Sequence, residues 1–386
     1  MASAPFPVVE IRSVANAQNE WAALLLGTPG QTLDDATLQC LFGTADLLAA
    51  IAPLDCILLL AGPAVLTPPV LSLLPANRVL FAVNAAALAT DGTARRLAEL
   101  QMAGYRVLVD GPLPEGVAAP IALRTVARDA RAELPRAGSL PTLFGPHLAY
   151  GVDDMARYRA CENAGFSWFS GDYALEGGVP DGDDGTSRRR MLTMLALLAR
   201  DADSRELEAQ LKQDAALSYH LLKLVNSAAF SSGAQITSFG QAISRLGRRQ
   251  LQRWLQLLLY ARPHPDSPPN LMLPVAALRG AALEALCKRD GGDRDDQDLA
   301  FMAGVFSLLD RLFQMPMQDV VCDLNLPEHV EAALLRREGP LGQRLRLAET
   351  GRPDAPTLEL AGVDGPDWWE SQLHAYHWAI QVARNV

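Results

Sequence analysis

The sequence predicts two joined fold classes, a trimmed β/α barrel in the first half and an all-helical domain in the second. Three observations carry this. Short apolar runs alternate with helix-length stretches through the first half. Strand periodicity disappears in the second half. Between them lies Glu176-Gly-Gly-Val-Pro-Asp-Gly-Asp-Asp-Gly185, a run that supports neither helix nor strand.

In the first half, Val8–Val14, Cys56–Ala61, Arg78–Val83, Tyr105–Val109, Ile121–Val126, Leu140–Phe144 and Phe166–Phe169 read as strands. Leu33–Ile51, Ala85–Ala103 and Asp153–Ala164 read as helices between them. Strands alternating with helices imply parallel pairing through right-handed crossovers. Strands that are apolar throughout suit a sheet covered on both faces. The strand count approaches that of an eightfold β/α barrel, but the segment is short for one, so a trimmed or partly open barrel is expected.

In the second half, Met191–Ala199 is an apolar helix, Ser204 caps a helix to Gln213, and Asp214 caps the next. Ser238 and Gln241 make a capping-box pair, and Gly247 is a stop. Arg248–Arg262 has Leu251, Trp254, Leu255 and Leu258 at helical spacing, and prolines from Pro263 to Pro274 then break the chain. Further helices are expected near Val275–Lys288, Asp298–Phe313 and Asp367–Arg384.

Of 386 residues, 49% are hydrophobic and 20% charged, enough apolar content for packed cores and against a disordered chain. The net charge of −10 is uneven. Residues 1–186 carry 11 basic and 20 acidic side chains; residues 187–386 carry 23 and 24. This balance weighs against bulk binding to nucleic acid or membrane surfaces. No apolar run is long enough to span a membrane and no secretory signal is visible. Cys40, Cys56, Cys161, Cys287 and Cys322 are odd in number and scattered, as expected of free thiols in a cytoplasmic protein.

Asp214-Ala-Ala-Leu-Ser-Tyr-His-Leu-Leu-Lys-Leu-Val-Asn-Ser-Ala-Ala-Phe230, followed by Ile236-Thr-Ser-Phe-Gly-Gln-Ala-Ile-Ser-Arg-Leu-Gly247, strongly resembles the HDOD domain, a helical relative of HD-type phosphohydrolases. The resemblance covers roughly residues 189–315. It implies loss of the metal-binding His-Asp pair, with Ser307 and Leu308 in its place. A β/α domain ahead of an HDOD domain resembles the two-domain EAL–HDOD family of bacterial signalling proteins, whose first domain is similar to cyclic di-GMP phosphodiesterases. On that resemblance the domains are residues 1–180 and 188–386, with linker 177–187. Glu20–Leu26 takes the place of the signature glutamate motif, with Ala22 at the glutamate. Leu74–Val83 resembles a strand with Ala82 at a metal-binding glutamate. Gly104–Gly111 resembles the strand ending in paired aspartates, with Asp110 kept and Gly111 replacing its neighbour. Tyr150 and Gly151 replace an acid and a lysine, and Ser170 stands at a glutamine.

Two-metal phosphodiester hydrolysis needs several converging carboxylates. With Asp110 as the remnant, the expectation is a non-enzymatic cytoplasmic signalling protein without catalytic residues, metal or cofactor. It would act by protein–protein contact of the HDOD half with another signalling protein of unknown identity. Homo-oligomerisation is left open. The alternatives are a non-hydrolysing cyclic di-GMP receptor, with Tyr105 and Arg106 as candidate contacts, or a nucleic-acid regulator. For the latter, Arg245, Arg248, Arg249 and Arg253 are the candidate phosphate or partner contacts, weighed against a solvated or salt-bridged face, which is favoured. Asp110 as a plain turn-opener, His374 and His377 as members of an aromatic packing helix, and Asp290–Asp298 as a solvated loop are the favoured readings of those residues. His147 and His220 are assigned no role.

Overall fold

The computed structural model describes residues 6–385 except 28–32, 44–45, 118–123, 133–135, 142, 177–192, 195, 198–199, 201, 212–240, 242–246, 261–268, 323, 325 and 352. The chain forms two compact units, Met1–Glu176 with Gly351–Ala355, and Gly177–Thr350 with Pro356–Val386.

The first unit is a closed eight-stranded barrel, strands in sequence order. They are β1 Glu10–Asn16, β2 Trp21–Gly27, β3 Asp55–Leu60, β4 Val79–Asn84, β5 Arg106–Asp110, β6 Val126–Asp129, β7 Leu148–Tyr150 and β8 Trp168–Ser170. β2 to β8 run parallel; β1 is antiparallel to both β2 and β8. The reversal has a local cause. The Asn16 Oδ1 accepts the backbone N–H of Gln18 and of Glu20, both at 2.9 Å, and Asn19 takes the left-handed conformation at φ 58°. That tight turn makes a hairpin, which only antiparallel strands allow. Closure leaves no sheet edge exposed.

The interior is filled by Val14, Ala23, Leu25, Ile57, Leu80, Ala82, Leu108, Ala127 and Leu148, with Leu59, Tyr150 and Trp168 against them. The helices are α1 Asp35–Phe42, α2 Asp46–Ala50, α3 Pro68–Leu73, α4 Thr93–Met102 and α5 Met155–Ala164. Among the described residues no helix lies between β5 and β7, which is how a short chain closes eight strands.

Several expected elements differ. β2 was not among the expected strands, although its apolar run is as continuous as that of β3. Residues 140–144 are irregular where described, and the strand lies at β7 instead. The Leu33–Ile51 helix divides into α1 and α2. Ala85–Ala103 divides into a 3-10 turn at Ala85–Ala89 and α4, separated by Gly92 at φ 82°.

The second unit is helical throughout its described residues: α6 Ser204–Leu211, α7 Arg248–Leu258, α8 Met272–Arg289, α9 Arg294–Phe306, α10 Leu309–Phe313, α11 Met317–Cys322, α12 Glu328–Arg336, α13 Gly339–Thr350, α14 Ala355–Ala361 and α15 Gly365–Asn385. Pro274 does not break α8. It lies in the first turn, where its missing N–H needs no partner. α8 packs along α15 through Ala281, Ala282 and Ala375, with Leu278 and Trp378 beside them. It meets α9 at Gly280 and Gly304. A Cβ on Gly304 would fall 2.6 Å from the Arg279 backbone, so only glycine allows the approach. The HDOD-like run Asp214–Gly247 lies almost wholly outside the described residues, as do the linker 177–187 and His220.

Candidate functional site

The carboxyl ends of β2 to β8 and the start of β1 share one end of the barrel, since Glu10 pairs with Gly27. Strand alternation then decides what faces inward. Glu10 and Arg12 share the face of Val14. Asn84 follows Ala82, Asp110 follows Leu108, Asp129 follows Ala127, Tyr150 follows Leu148, and Ser170 follows Trp168. A ring of polar side chains therefore closes an apolar interior.

Four of its members are connected. The Tyr150 hydroxyl donates to Asp110 at 2.9 and 3.1 Å. The Arg12 guanidinium lies over the Tyr150 ring, 5.8 Å from its centroid, and its Nε pairs with Glu10 at 3.0 Å. Arg128 leaves β6 on the face opposite Asp129; its Nη1 donates to the carbonyls of Val109 at 3.0 Å and Ala127 at 2.8 Å, and its charge acts on Asp110 and Tyr150. Asp129 accepts the Arg131 backbone N–H at 3.0 Å. The Ser170 Oγ is buried without a partner among the described residues. Burial pushes the Asp110 carboxyl up, against the Tyr150 hydrogen bond and the Arg128 charge. Burial also raises the Tyr150 phenol, helped by Asp110, and lowers Arg128.

The sequence-predicted positions fall as follows. Ala22 sits where the β1–β2 register shifts, and Ala23 takes the interior place beside it. Ala82 is interior, one layer below Asn84. Gly111 has φ 85° and donates its N–H to Ala127. Gly151 has φ 67°, and a Cβ there would fall 2.4 Å from Asp129 Oδ1, so no longer side chain fits without moving that carboxylate. Tyr105 donates its hydroxyl to the Leu74 carbonyl at 2.7 Å, and Arg106 pairs with Asp55 at 2.8 Å; neither faces the mouth. Glu10, Arg12, Arg128 and Asp129 were missed. The Glu10-x-Arg12-x-Val14 alternation was the available signal.

In the helical unit, Ser307 and Leu308 lie at the break between α9 and α10, both buried. The Ser307 Oγ donates to the Gly304 carbonyl at 2.7 Å and accepts from Arg279 Nη1 at 2.9 Å. Arg279 also reaches Glu349 at 3.5 Å, which Arg337 holds at 2.7 Å. Arg253 pairs with Glu284 at 2.7 Å and Asp298 at 2.6 Å; Arg249 pairs with Asp295 and with Asp298. Both are thus tied to acids of α8 and α9. Arg245 and the Arg248 side chain lie outside the described residues. Asp293–Asp296 is not a loop but the capping box of α9. His374 and His377 are exposed on α15, while Trp368 and Tyr376 are buried.

A closed barrel with a polar mouth, joined to an all-helical unit, defines the class of protein. Within it, residues 189–315 match the family model of the HDOD domain. The chain is similar to the cyclic di-GMP phosphodiesterase CdgJ of Vibrio cholerae serotype O1, 26% identical over 337 residues, covering 81% of this chain and 76% of that one. It is also similar to uncharacterized protein YuxH of Bacillus subtilis, 26% identical over 265 residues, covering 66% of this chain and 63% of that one. Among solved structures it is similar to the calcium and cyclic di-GMP complex of Klebsiella pneumoniae BlrP1, at 16% identity and a TM-score of 0.32, over 44% of this chain and 56% of that one. Likeness of that size decides nothing about the mouth.

The CdgJ match corrects the expected function. A relative aligned over most of the chain is named a phosphodiesterase, so the expectation of a non-enzymatic protein does not stand. It had rested on lost carboxylates at inferred positions, without the groups that strand alternation brings to the mouth. Among the described residues no helix is long and apolar enough to cross a membrane.

Proposed function

We propose that the protein is a phosphodiesterase of cyclic di-GMP signalling, and that the barrel is an EAL-like domain with its mouth as the active centre. The observation that carries the reading is the connected chain of Glu10, Arg12, Tyr150 and Asp110 at the carboxyl end of the barrel, the end where strand-tip residues converge in β/α barrels, with the Arg128 charge acting on Asp110. The similarity to CdgJ supplies the substrate class.

Two metal ions would need carboxylates converging at the mouth. Those present do not fit: Glu10 is engaged by Arg12, Asp110 by Tyr150, and Asp129 by a backbone N–H. Among the described residues no group of three or more His, Cys, Asp or Glu could hold a metal. The chemistry open to this chain's own residues is positional. With the Tyr150 hydroxyl donating to Asp110, the phenol can take a proton from an attacking water as it passes its own to the Asp110 carboxylate.

The test is product analysis of cyclic di-GMP incubated with purified protein, with and without manganese. Turnover is expected, falling at least about a hundredfold in Asp110→Asn. The variant's thermal stability should be unchanged, because the amide oxygen still accepts from Tyr150. No linear dinucleotide under either condition would refute the reading. We further propose that the HDOD half contacts another signalling protein, to be sought by pull-down with that half as bait.

A further inference from the structure

We infer that the phosphate of the bound diester is gripped at the barrel mouth by the guanidinium groups of Arg12 and Arg128, with Ser170 as a third donor, and not through metal ions. This deepens the phosphodiesterase reading and rests on it.

Both arginines have donors to spare. Arg12 uses Nε and Nη2 on Glu10, at 3.0 and 3.3 Å, and its Nη1 has no partner among the described residues. Arg128 uses only Nη1, on two backbone carbonyls. Its Nε and Nη2 have no partner among the described residues, and it makes no ion pair with a described residue. A planar guanidinium presents paired N–H groups that match two oxygens of a phosphate.

Ser170 supplies the independent observation. It is 1% exposed, ends β8 beside Tyr150, and its Oγ has no partner among the described residues. A buried hydroxyl left unpaired is costly unless something else satisfies it. A ligand oxygen at the mouth would do so.

The mouth also holds negative charge: Glu10, Asp110 and Asp129. Each is already engaged, and Tyr150 stands between Asp110 and Arg12, its hydroxyl on one and its ring under the other. The phosphate would therefore meet guanidinium donors still unspent beside carboxylates that already have partners.

Calorimetric titration of cyclic di-GMP into the full chain tests this, once with EDTA and once with manganese. The expected result is equal affinity in both, weakening as salt rises. Arg128→Met, and the double variant Glu10→Gln with Arg12→Gln, should each weaken binding about tenfold or more and flatten the salt dependence, with an intact thermal unfolding transition. Arg128→Lys keeps charge and loses the fork, so it should fall between; it also serves if the methionine variant fails to fold. Binding that requires manganese, or that is indifferent to both arginines, overturns the inference and leaves the phosphodiesterase reading. No binding under any condition overturns both.

Discussion

At the residue scale, His147 shows how a side chain without a visible partner in sequence acquires a structural task. It is buried between two strands' connections, its Nδ1 accepting the Val126 N–H at 3.2 Å and its Nε2 facing the Pro141 carbonyl at 3.1 Å. That pairing requires the neutral ring with the proton on Nε2. Burial accordingly lowers its pKa from 6.5. The folded state then resists protonation that the unfolded chain accepts. The stability tied to this ring is complete above about pH 6.5 and is lost as pH falls toward the lower folded value. Denaturant titrations at pH 7.5 and 5.5 should show the barrel weaker at 5.5, with a smaller difference in His147→Gln. An undiminished difference in that variant would show that other groups set the slope. Tyr150 illustrates the opposite case: read in sequence as a replaced acid, it is the piece that links Arg12 to Asp110.

At the element scale, sequence signals succeeded where local chemistry dominates. α5 begins where Asp154 caps it, accepting the Arg157 N–H at 2.7 Å, and ends at Gly165 with φ 108°. α8 and α15 lie where long stretches free of strand signals read as helices. Besides β2, the failures were short strands. β6 and β7 have four and three residues, too few for a period to show, and are strands because the ladder on either side completes them. The α8–α9 crossing is likewise invisible in sequence, since two glycines 24 positions apart become meaningful only when the helices touch. Gly304→Ala should destabilise the helical unit by about 1–3 kcal/mol, measured by denaturant unfolding, because the added methyl meets backbone that cannot turn aside. A neutral result would mean that α8 and α9 separate freely.

At the scale of the whole molecule, the two units have separate cores, one inside the barrel and one along α8, α9 and α15. Scanning calorimetry should give a calorimetric enthalpy larger than the van't Hoff enthalpy, as expected when more than one cooperative unit melts. Equality of the two would show a single cooperative fold. By itself the sequence determined the change from strand–helix alternation to helices, the turn-rich break near Gly177–Gly185, and the HDOD resemblance later matched at residues 189–315. These depend on period and composition, which are local properties. Tertiary structure decided barrel closure, the reversal of β1, and the meeting of Glu10, Arg12, Asp110, Arg128 and Tyr150 at one end. Those groups come from four strands spread over 140 residues. Only the pairing register, which no single strand carries, brings them into one ring.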